Sequence, residues 1–505
     1  MKHWKLAGST AVLALLAGTG AFADVTPEEV WQNWQDMSTS AGQTVTATSA
    51  ERDGDTLVVA GVTISYEKDG TSFTSAIDQI DFADNGDGSV DVTTSDSYQM
   101  ALKAPAATEI DGAMPTDLKI TLTQPEMVVT ASGTVDALSY EFEGPSLTVK
   151  VEPGDSAAAA QGSFEVALTD LSGKYLVEGD GEAKKITSDF AAASVKISGA
   201  GKDATAKSDA TFSATIADVA GDTDGNFLGA AAMADMAKAL QGGFAIDGNF
   251  SHGAMTFDLA VNEDGKPTKI TGGSEGGDMS FAMDATHLQF GAGGKALNLM
   301  INSADIPFPE LKLGYQEAAF NMLMPVGKTT EPADFAFLTK LVGFTVSDEV
   351  WGMFDPAGSL PHDPATVIID TKGKVTMTTD LFDEAAMAAL GDTPPGDLNA
   401  LDVTELKASV AGAELTGAGT FTFDNTDKTT FPGVPLPTGK MDLKLTGGNT
   451  LLDKLVAMGL LPQDQAMGFK MMVSMFANSA ADKDEMTSTL EFKDKGFYAN
   501  GQKLQ

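Results

Sequence analysis

The stretch TLVVAGVTISYEKDGTSFTSAIDQIDFADNGDGSVDVTTS, residues Thr56 to Ser95, decides the fold class of this chain. β-branched and apolar residues alternate with polar ones through it, as they do on strands that bury one face and expose the other. The alternation is interrupted at Asp69-Gly70 and Asp87-Gly88, dipeptides that favour tight hairpin turns. The stretch therefore predicts consecutive antiparallel strands joined by short turns.

The same pattern extends along most of the chain. Strand segments follow one another from Thr44 to about Ile216, and they resume after a helical segment from Leu228 to Gln241. No motif of fixed length repeats, which argues against a propeller or a solenoid. The predicted fold is mainly β: a long, twisted antiparallel meander of one or more sheets with a few helices, including a C-terminal helical hairpin packed on the sheet.

The first 23 residues have the features of a signal peptide. Lys2 and Lys5 precede an apolar run, and Ala21-Phe22-Ala23 is a small-x-small cleavage site. The apolar run is too short for a good membrane span. We therefore expect an exported, periplasmic protein with no transmembrane segment after cleavage, and secretion beyond the periplasm stays open.

The rest of the chain is predicted to form two β-rich regions. The N-terminal region comprises residues 24–300, and the boundary at its end is soft. The C-terminal region comprises residues 301–505, where proline and helical segments become more frequent. It contains the predicted hairpin, residues 449–478.

Composition excludes several classes of function. The chain has 71 acidic residues against 32 basic ones, a net charge of −39, and Arg52 is its single arginine. Such a surface repels nucleic-acid phosphates, so no nucleic-acid partner is predicted. The chain has no cysteine, which rules out disulfides, thiolate nucleophiles and cysteine metal sites.

The segment VTPEEVWQNWQDM, residues Val25 to Met37, predicts a short helix. Thr26 is a good N-cap, and Pro27 suits the first helical position. Trp31 and Trp34 belong to one apolar stripe, which is more typical of a helix docked on a core than of a ligand-stacking pair.

Two short motifs resemble nucleophilic sites. Gly272-Gly273-Ser274-Glu275-Gly276 has the spacing of a nucleophile elbow, which needs a helix after the serine, but the residues that follow have a strand pattern. Ser359, His362 and Asp363 are crowded in GSLPHDP, but closeness in sequence does not establish triad geometry. A hairpin turn and a proline-rich loop are the favoured interpretations, so no catalytic residue is predicted.

One acidic motif begins like a calcium loop. Asp222-x-Asp224-x-Asn226 has the first spacing of an EF-hand, but Phe227 and Met233 occupy the positions that need glycine and glutamate. Such Asp/Gly clusters are more often turns than calcium sites. No metal site and no cofactor are predicted, although a looser calcium site is an alternative here or at a second cluster. The second cluster is Asp84, Asp87 and Asp91.

The segment LVAMGLLPQDQAMGFKMMVSMFA, residues Leu455 to Ala477, holds five of the 23 methionines. It predicts two short helices, the first capped by Asn449 and ended by Gly459, the second opened by Pro462. The second helix is apolar over most of its circumference, which indicates either a plug that fills the open face of the sheet, the favoured interpretation, or the lining of a groove for an acyl chain or apolar peptide. The predicted apolar binding surface is Trp351, Met467, Met471, Met472, Met475 and Phe476.

Four segments resemble the uncharacterised family known as domain of unknown function 2125, exported proteins of marine alphaproteobacteria. They are SDEVWGMFDPAGSLPHDPATVIIDTKGK (Ser347–Lys374), GAGTFTFDNTDKTTFPGVPLPTGKMDLKL (Gly417–Leu445), LLPQDQAMGFKMMVSMFA (Leu460–Ala477) and FYANGQKL (Phe497–Leu504). The resemblance covers roughly residues 300 to 505, implies a Gram-negative periplasm and supplies no activity. In architecture, a long meander with an apolar concave side is also similar to AsmA-like envelope proteins that shelter lipid tails.

The leading functional hypothesis is a non-enzymatic periplasmic protein of the envelope. It would bind a lipid, or another apolar ligand or envelope protein, in a groove between sheet and helices. One alternative is a secreted hydrolase of envelope or extracellular material that uses Ser274 or His362. Another is an acidic structural or calcium-stabilised surface protein.

Overall fold

A computed structural model describes residues 24–40, 42–68, 70–105, 116–135, 137–154, 161–179, 183–203, 207–228, 230–233, 235–480 and 483–505. The predicted signal peptide, residues 1–23, lies outside these residues. So does Asp69 of the first predicted turn.

Seven helices are present in the described part of the chain. They are α1 (Pro27–Ser40), α2 (Ala230–Met233), α3 (Met236–Gln241), α4 (Asp348–Phe354), α5 (Glu384–Leu390), α6 (Gly448–Ala457) and α7 (Gln463–Phe476).

The first fourteen strands lie before residue 264. They are β1 (Thr44–Thr46), β2 (Ser49–Asp53), β3 (Thr56–Lys68), β4 (Thr71–Asp84), β5 (Val90–Thr94), β6 (Ser97–Ala104), β7 (Thr116–Thr123), β8 (Val128–Thr134), β9 (Ala137–Pro153), β10 (Gln161–Glu178), β11 (Lys184–Asp203), β12 (Ser208–Phe227), β13 (Ala245–His252) and β14 (Met255–Glu263).

Thirteen further strands follow. They are β15 (Lys266–Ser274), β16 (Gly276–Met283), β17 (His287–Ser303), β18 (Leu311–Pro325), β19 (Ala333–Val346), β20 (Ala365–Met377), β21 (Gly396–Val410), β22 (Ala413–Asp424), β23 (Leu436–Thr446), β24 (Asn478–Ala480), β25 (Glu485–Lys493), β26 (Gly496–Ala499) and β27 (Gln502–Lys503).

All of these strands belong to one antiparallel sheet, and each pairs with strands close to it in sequence. The predicted mainly-β meander is therefore confirmed. The sheet continues through the predicted boundary near residue 300, because β17 pairs with β15 and β16 on one side and with β18 on the other. The domain boundary itself stays a prediction.

A line of irregular positions, which we call the crease, crosses the sheet near the middle of its long strands. Some strands pass through the crease with a residue of positive φ. Elsewhere two separate strands meet at the crease: β13 pairs with one half of β12, and β14 pairs with the other half. An irregular residue of this kind bends a strand and resets the alternation of its side chains. The residues of positive φ on the crease are Gly61, Asp170, Asp218, Ala296 and Gly343.

The crease keeps apolar residues on one face along the whole of a strand. On β10, Leu168 and Leu171 are three positions apart and lie on either side of Asp170, so the left-handed Asp170 brings both to the same face. Leu171 is buried and Asp170 is exposed.

The largest buried cluster lies at the N-terminal end, where α1 packs on β3, β4 and β5. Val30 is fully buried, and Trp31 and Trp34 pack against this cluster beside Phe82. The Thr26 hydroxyl accepts the Glu29 N–H, and the Glu29 carboxylate accepts the Thr26 N–H, a reciprocal capping box. The predicted cap and the predicted docking of the tryptophans are both confirmed.

A smaller cluster forms where α3 meets the ends of β12, β13 and β16. Ala239, Leu240 and Phe244 are buried there, with Met283 and Phe382 packed against them. Within the described part of the chain, no helix is both long and apolar enough to cross a membrane.

Candidate functional site

One face of the sheet, which we call the inner face, carries a row of uncharged side chains from β10 to β25. Directly opposed residues of neighbouring strands project to the same face, so the register of the pairing defines this row. Its members are Gly173, Phe190, Gly221, Phe250, Met279, Ala292, Phe320, Thr339, Ile369, Leu406, Gly417, Leu443 and Ser488.

The opposite, outer face is polar. Moving one residue along each strand turns the side chain to this face. Such a row runs through Glu141, Lys174, Asp189, Asp222, Asn249, Ser280, Gly291, Asn321, Leu338, Asp370 and Glu405. The carboxylates of the acidic chain therefore lie mainly away from the inner face.

Glycines on the inner face make room for aromatic rings. A Cβ atom at Gly221 would lie 2.5 Å from the ring of Phe190, and one at Gly173 would lie 2.4 Å from the ring of Phe142. The rings of Phe190 and Phe250, on either side of Gly221, have centroids 6.5 Å apart. Each ring thus lies over the backbone of the neighbouring strand.

Several large apolar side chains of the inner face are open to solvent, with exposed fractions from 36% to 49%. They are Phe164, Phe190, Met279, Phe281, Phe337, Val367, Ile369 and Val410. Exposed apolar residues scattered over a surface need no explanation, but a set of eight on one face of a sheet is more typical of a binding surface. We call the inner face from β10 to β22 the groove.

The groove spans eleven strand positions. At a spacing of about 4.8 Å between strands, its length is roughly 50 Å. The hydrocarbon core of a bilayer is about 30 Å thick, and a lipid chain covers half of that. The groove is therefore long enough for more than one such chain laid across the strands.

Helix α1 packs beside the N-terminal end of the groove, on Tyr140 of β9, which pairs with Tyr175 of β10. Its Trp34 ring lies 5.5 Å from the Phe82 ring and 6.5 Å from the Tyr140 ring, measured between centroids. The Tyr140 hydroxyl donates to the Asn33 side-chain oxygen at 2.7 Å. Burial raises the pKa of Tyr140 to about 12, so its phenol stays neutral where it joins helix to sheet.

The helical hairpin of α6 and α7 lies at the C-terminal end. The Asp484 carboxylate accepts the N–H groups of Asn449 and Thr450 at the start of α6. At the end of α7, the carbonyl oxygen of Phe476 accepts the hydroxyl of Ser488, a member of the inner-face row. The predicted cap at Asn449 is wrong: α6 already begins at Gly448, and Asp484 supplies the capping carboxylate from a distant turn.

Helix α7 turns its methionines outward. Ala466 is buried, and Lys470 bonds to Asp453 of α6 at 2.6 Å. The four side chains that we call the methionine face are exposed by 58%, 64%, 51% and 65%, in chain order. They are Met467, Met471, Met472 and Met475. The favoured prediction of a plug, with these residues in the core, is therefore wrong.

The physical reason lies in the contact between the two helices. The side-chain bond between them joins Lys470 of α7 to Asp453 of α6, and Ala466 is the buried residue of α7. The larger methionines on the opposite side have no partner of the same kind within the described residues. Their role in binding stays a prediction.

Trp351 is the one residue of the predicted binding surface that does not belong to α7. It lies in α4. Its ring stacks on His362 at 4.3 Å between centroids and contacts Phe354 at 5.1 Å. These ring partners belong to α4 and to the loop after it, and neither lies on α7. The structure thus places Trp351 in a packed cluster, while Met353 and Phe354 beside it are exposed.

The loop after α4 is organised by a carboxylate. Asp355 is buried and accepts the N–H groups of Ser359 and Leu360 at 2.8 Å and 2.7 Å. These hydrogen bonds hold the pKa of Asp355 below its ordinary value. His362 contacts Asp348 and Asp355 through its two ring nitrogens, so the crowded residues of GSLPHDP form a capped loop.

Ser274 ends β15, and Gly276 begins β16. The residues after the serine therefore continue as a strand, as predicted, and the elbow geometry that requires a helix is absent at this described position. Asp222 and Asp224 lie within β12, where their carboxylates accept from Asn249 and Thr187. They do not lie in a loop of the EF-hand type.

The second acidic cluster forms turns and a cross-strand bond. Asp84 accepts the N–H of Gly86, Asp87 accepts the N–H of Ser89, and Asp91 accepts the hydroxyl of Thr130. Within the described residues, no three acidic or histidine side chains lie close enough to hold a metal ion.

Sequence reasoning predicted a groove between sheet and helices but did not identify the strand residues of the inner face. Its exposed members, such as Phe190, Phe281 and Phe337, alternate with polar residues as any strand residues do, so the pattern predicts only that they share a face. The available signal was the pairing of glycines with aromatic residues across predicted strands, which indicates rings laid over a neighbouring backbone.

Comparison with known proteins gives one match. Residues 254–501 match the model of a family described as "Uncharacterized protein conserved in bacteria (DUF2125)". No curated protein and no solved structure matches the chain.

Proposed function

We propose that the protein holds the apolar chain of a lipid along its groove. Residues 254–501 match the model of this uncharacterized bacterial family, which supplies no activity. We further propose that it acts in the periplasm, by binding and without a chemical step. The observation that carries the proposal is the set of eight large apolar side chains that are exposed together on one face of the sheet.

The lining of the groove suits a hydrocarbon. The inner-face row offers aromatic rings, aliphatic side chains and glycines, and no charged group. Burial of apolar surface is favourable by about 25 cal/mol per Å², or roughly 0.8 kcal/mol for each CH₂ group. A chain of many CH₂ groups therefore gains more from such a surface than a small polar ligand would.

The methionine face offers a second apolar surface, at the C-terminal end of the groove. Methionine is unbranched and polarizable, so a group of methionines adapts to ligands of varied shape. The bond from Ser488 to the Phe476 carbonyl ties the end of α7 to the inner face. We propose that a lipid chain passes between its source and the groove at this end.

The compartment and the charge support the same function. The signal-peptide pattern of residues 1–23 motivates the periplasmic assignment. Acidic residues on the outer face keep the protein away from anionic membrane surfaces, while the apolar inner face remains available. A carrier needs both properties to exchange lipid without remaining on the membrane.

Titration with a fluorescent fatty acid tests the proposal. The double variant Phe281→Gln with Phe337→Gln places two amides on the floor of the groove. We expect its affinity to fall by about tenfold or more, since two apolar contacts of a kcal/mol or so each are removed. The matched control is Val135→Gln with Val434→Gln, because these side chains are exposed by 56% and 48% at positions outside the groove.

The control variant is expected to bind within about twofold of the unchanged protein. Circular dichroism and thermal unfolding verify that both variants are folded. Native mass spectrometry of protein purified gently from the periplasm of its own host should show a bound lipid. Equal binding by the groove variant, the control and the unchanged protein would reject the groove as the site.

A further inference from the structure

We propose that the methionine face of α7 is a site of reversible oxidation, at which conversion of thioethers to sulfoxides changes an apolar surface into a polar one. The site of oxidation follows from exposure and chemistry alone. The consequence for ligand transfer rests on the function proposed above. The two parts are therefore tested separately.

Accessibility separates these methionines from the buried methionines of the chain. Met471 and Met475 are exposed by 64% and 65%, whereas Met377 and Met486 are exposed by 5% and 8%. An oxidant in solution reaches a side chain in proportion to its exposure, and it reaches a buried one only when the structure opens locally. The same protein thus contains its own reference residues.

The reaction balances with a peroxide as oxidant. The thioether sulfur attacks one peroxide oxygen, the O–O bond breaks and an S=O bond forms. The sulfur loses two electrons, and the departing oxygen takes up a proton and leaves as water when the oxidant is hydrogen peroxide. Sulfoxides of both configurations are reduced again by methionine sulfoxide reductases, so the change is reversible.

The arrangement on one helix makes the change large. Met467, Met471 and Met475 are four residues apart and form one stripe, with Met472 beside it. The stripe is about 12 Å long at 1.5 Å per residue. Up to four dipolar S=O groups would therefore replace a compact apolar surface.

The fold is built so that this surface can change without unfolding. The buried contact of α7 is Ala466, and the polar link to α6 is the bond of Lys470 to Asp453. Neither involves a methionine of the exposed face. The chain has no cysteine, so methionines are its only oxidisable sulfur.

The first test maps oxidation on the folded protein. Treatment with dilute hydrogen peroxide, followed by peptide mass spectrometry over time, gives a rate for each methionine. We expect Met467, Met471, Met472 and Met475 to react at least about tenfold faster than Met377 and Met486. Equal rates in the two groups, with the protein still folded by circular dichroism, would overturn the site.

The second test measures transfer of a fluorescent fatty acid from phosphatidylcholine vesicles to the protein. Two quadruple variants change all four residues of the methionine face. Leucine keeps the surface apolar and cannot be oxidised, while glutamine imitates the polarity of the sulfoxide.

Peroxide should slow transfer to the unchanged protein by about fivefold or more and should leave the leucine variant unaffected. The glutamine variant should be slow without peroxide. Unaltered transfer after full oxidation of the face would overturn the proposed consequence. If the untreated protein takes up no fatty acid at all, the proposed function and this consequence both fail, while the oxidation map still decides the site.

Discussion

Helices α1 and α7 are both 14 residues long and both carry a stripe of large apolar side chains, but the two stripes point in opposite directions. The stripe of α1 faces the sheet, where Val30 is fully buried. The stripe of α7 faces solvent, and Ala466 on the other side of that helix is buried instead.

An apolar stripe on a helix is therefore not sufficient to predict that the stripe is buried. On the sheet below α1, Phe82 and Val59 are large, buried partners for the tryptophans. At α7, Lys470 pairs with Asp453 of the neighbouring helix, Ala466 is buried, and the methionines are left exposed. The element opposite a helix determines which side of the helix becomes core, and an exposed stripe is then free to serve binding.

Substitution of Trp34 by alanine should have the largest effect on the free energy of unfolding, because it removes a large side chain from the contact between α1 and the sheet. Its ring packs on Phe82 and Tyr140, so its loss leaves a cavity that costs about 3 kcal/mol of the free energy of unfolding. Urea unfolding followed by Trp31 fluorescence, in a Trp351→Phe background, measures the cost. A loss below about 1 kcal/mol would mean that α1 is not part of the core.

Alkaline pH should weaken the same contact by a smaller amount. The pKa of Tyr140 is raised to about 12 in the folded protein, so the folded state keeps a proton that an unfolded chain loses near pH 10. The stabilisation is complete below pH 10 and is lost as pH rises toward 12, with a slope of at most about 1.4 kcal/mol per pH unit.

Urea unfolding at several pH values between 9 and 12 would show this slope. Replacement of Tyr140 by phenylalanine should remove its contribution to the slope of unfolding free energy against pH, because phenylalanine has no ionisable proton. A slope that persists unchanged in the variant would assign the effect to other groups.

Substitution of two methionines of α7 should have the smallest effect on the free energy of unfolding. Met471 and Met475 are mostly exposed, so the double change to alanine should alter the free energy of unfolding by less than about 0.5 kcal/mol. The same urea experiment measures it beside Trp34→Ala. A loss comparable to that of Trp34 would place the methionines in a core after all.

The sequence predicts the strands well because alternation and turn dipeptides are local signals. The stretch from Thr56 to Ser95 forms β3, β4 and β5 as its pattern predicts, and the capping residues of α1 act as expected. The family resemblance of residues near the C-terminus is also confirmed, over residues 254–501.

The crease and the orientation of α7 could not be predicted, because both depend on partners distant in sequence. Asp170 of β10 and Asp218 of β12 adopt positive φ within long strands, although the other aspartates of β12 do not. The pattern of α7 shows an apolar helix, but only the packing of Ala466 against its surroundings decides which side is exposed.

The pairing of each strand with near neighbours in sequence also has a kinetic consequence. Contacts of low sequence separation form quickly, because little loop entropy is lost before they stabilise the chain. Stability in such an array is close to a sum over adjacent interfaces, as it is in repeat proteins. We therefore expect hydrogen exchange to reveal openings that begin between central strands, while the strands held by α1 keep their protection.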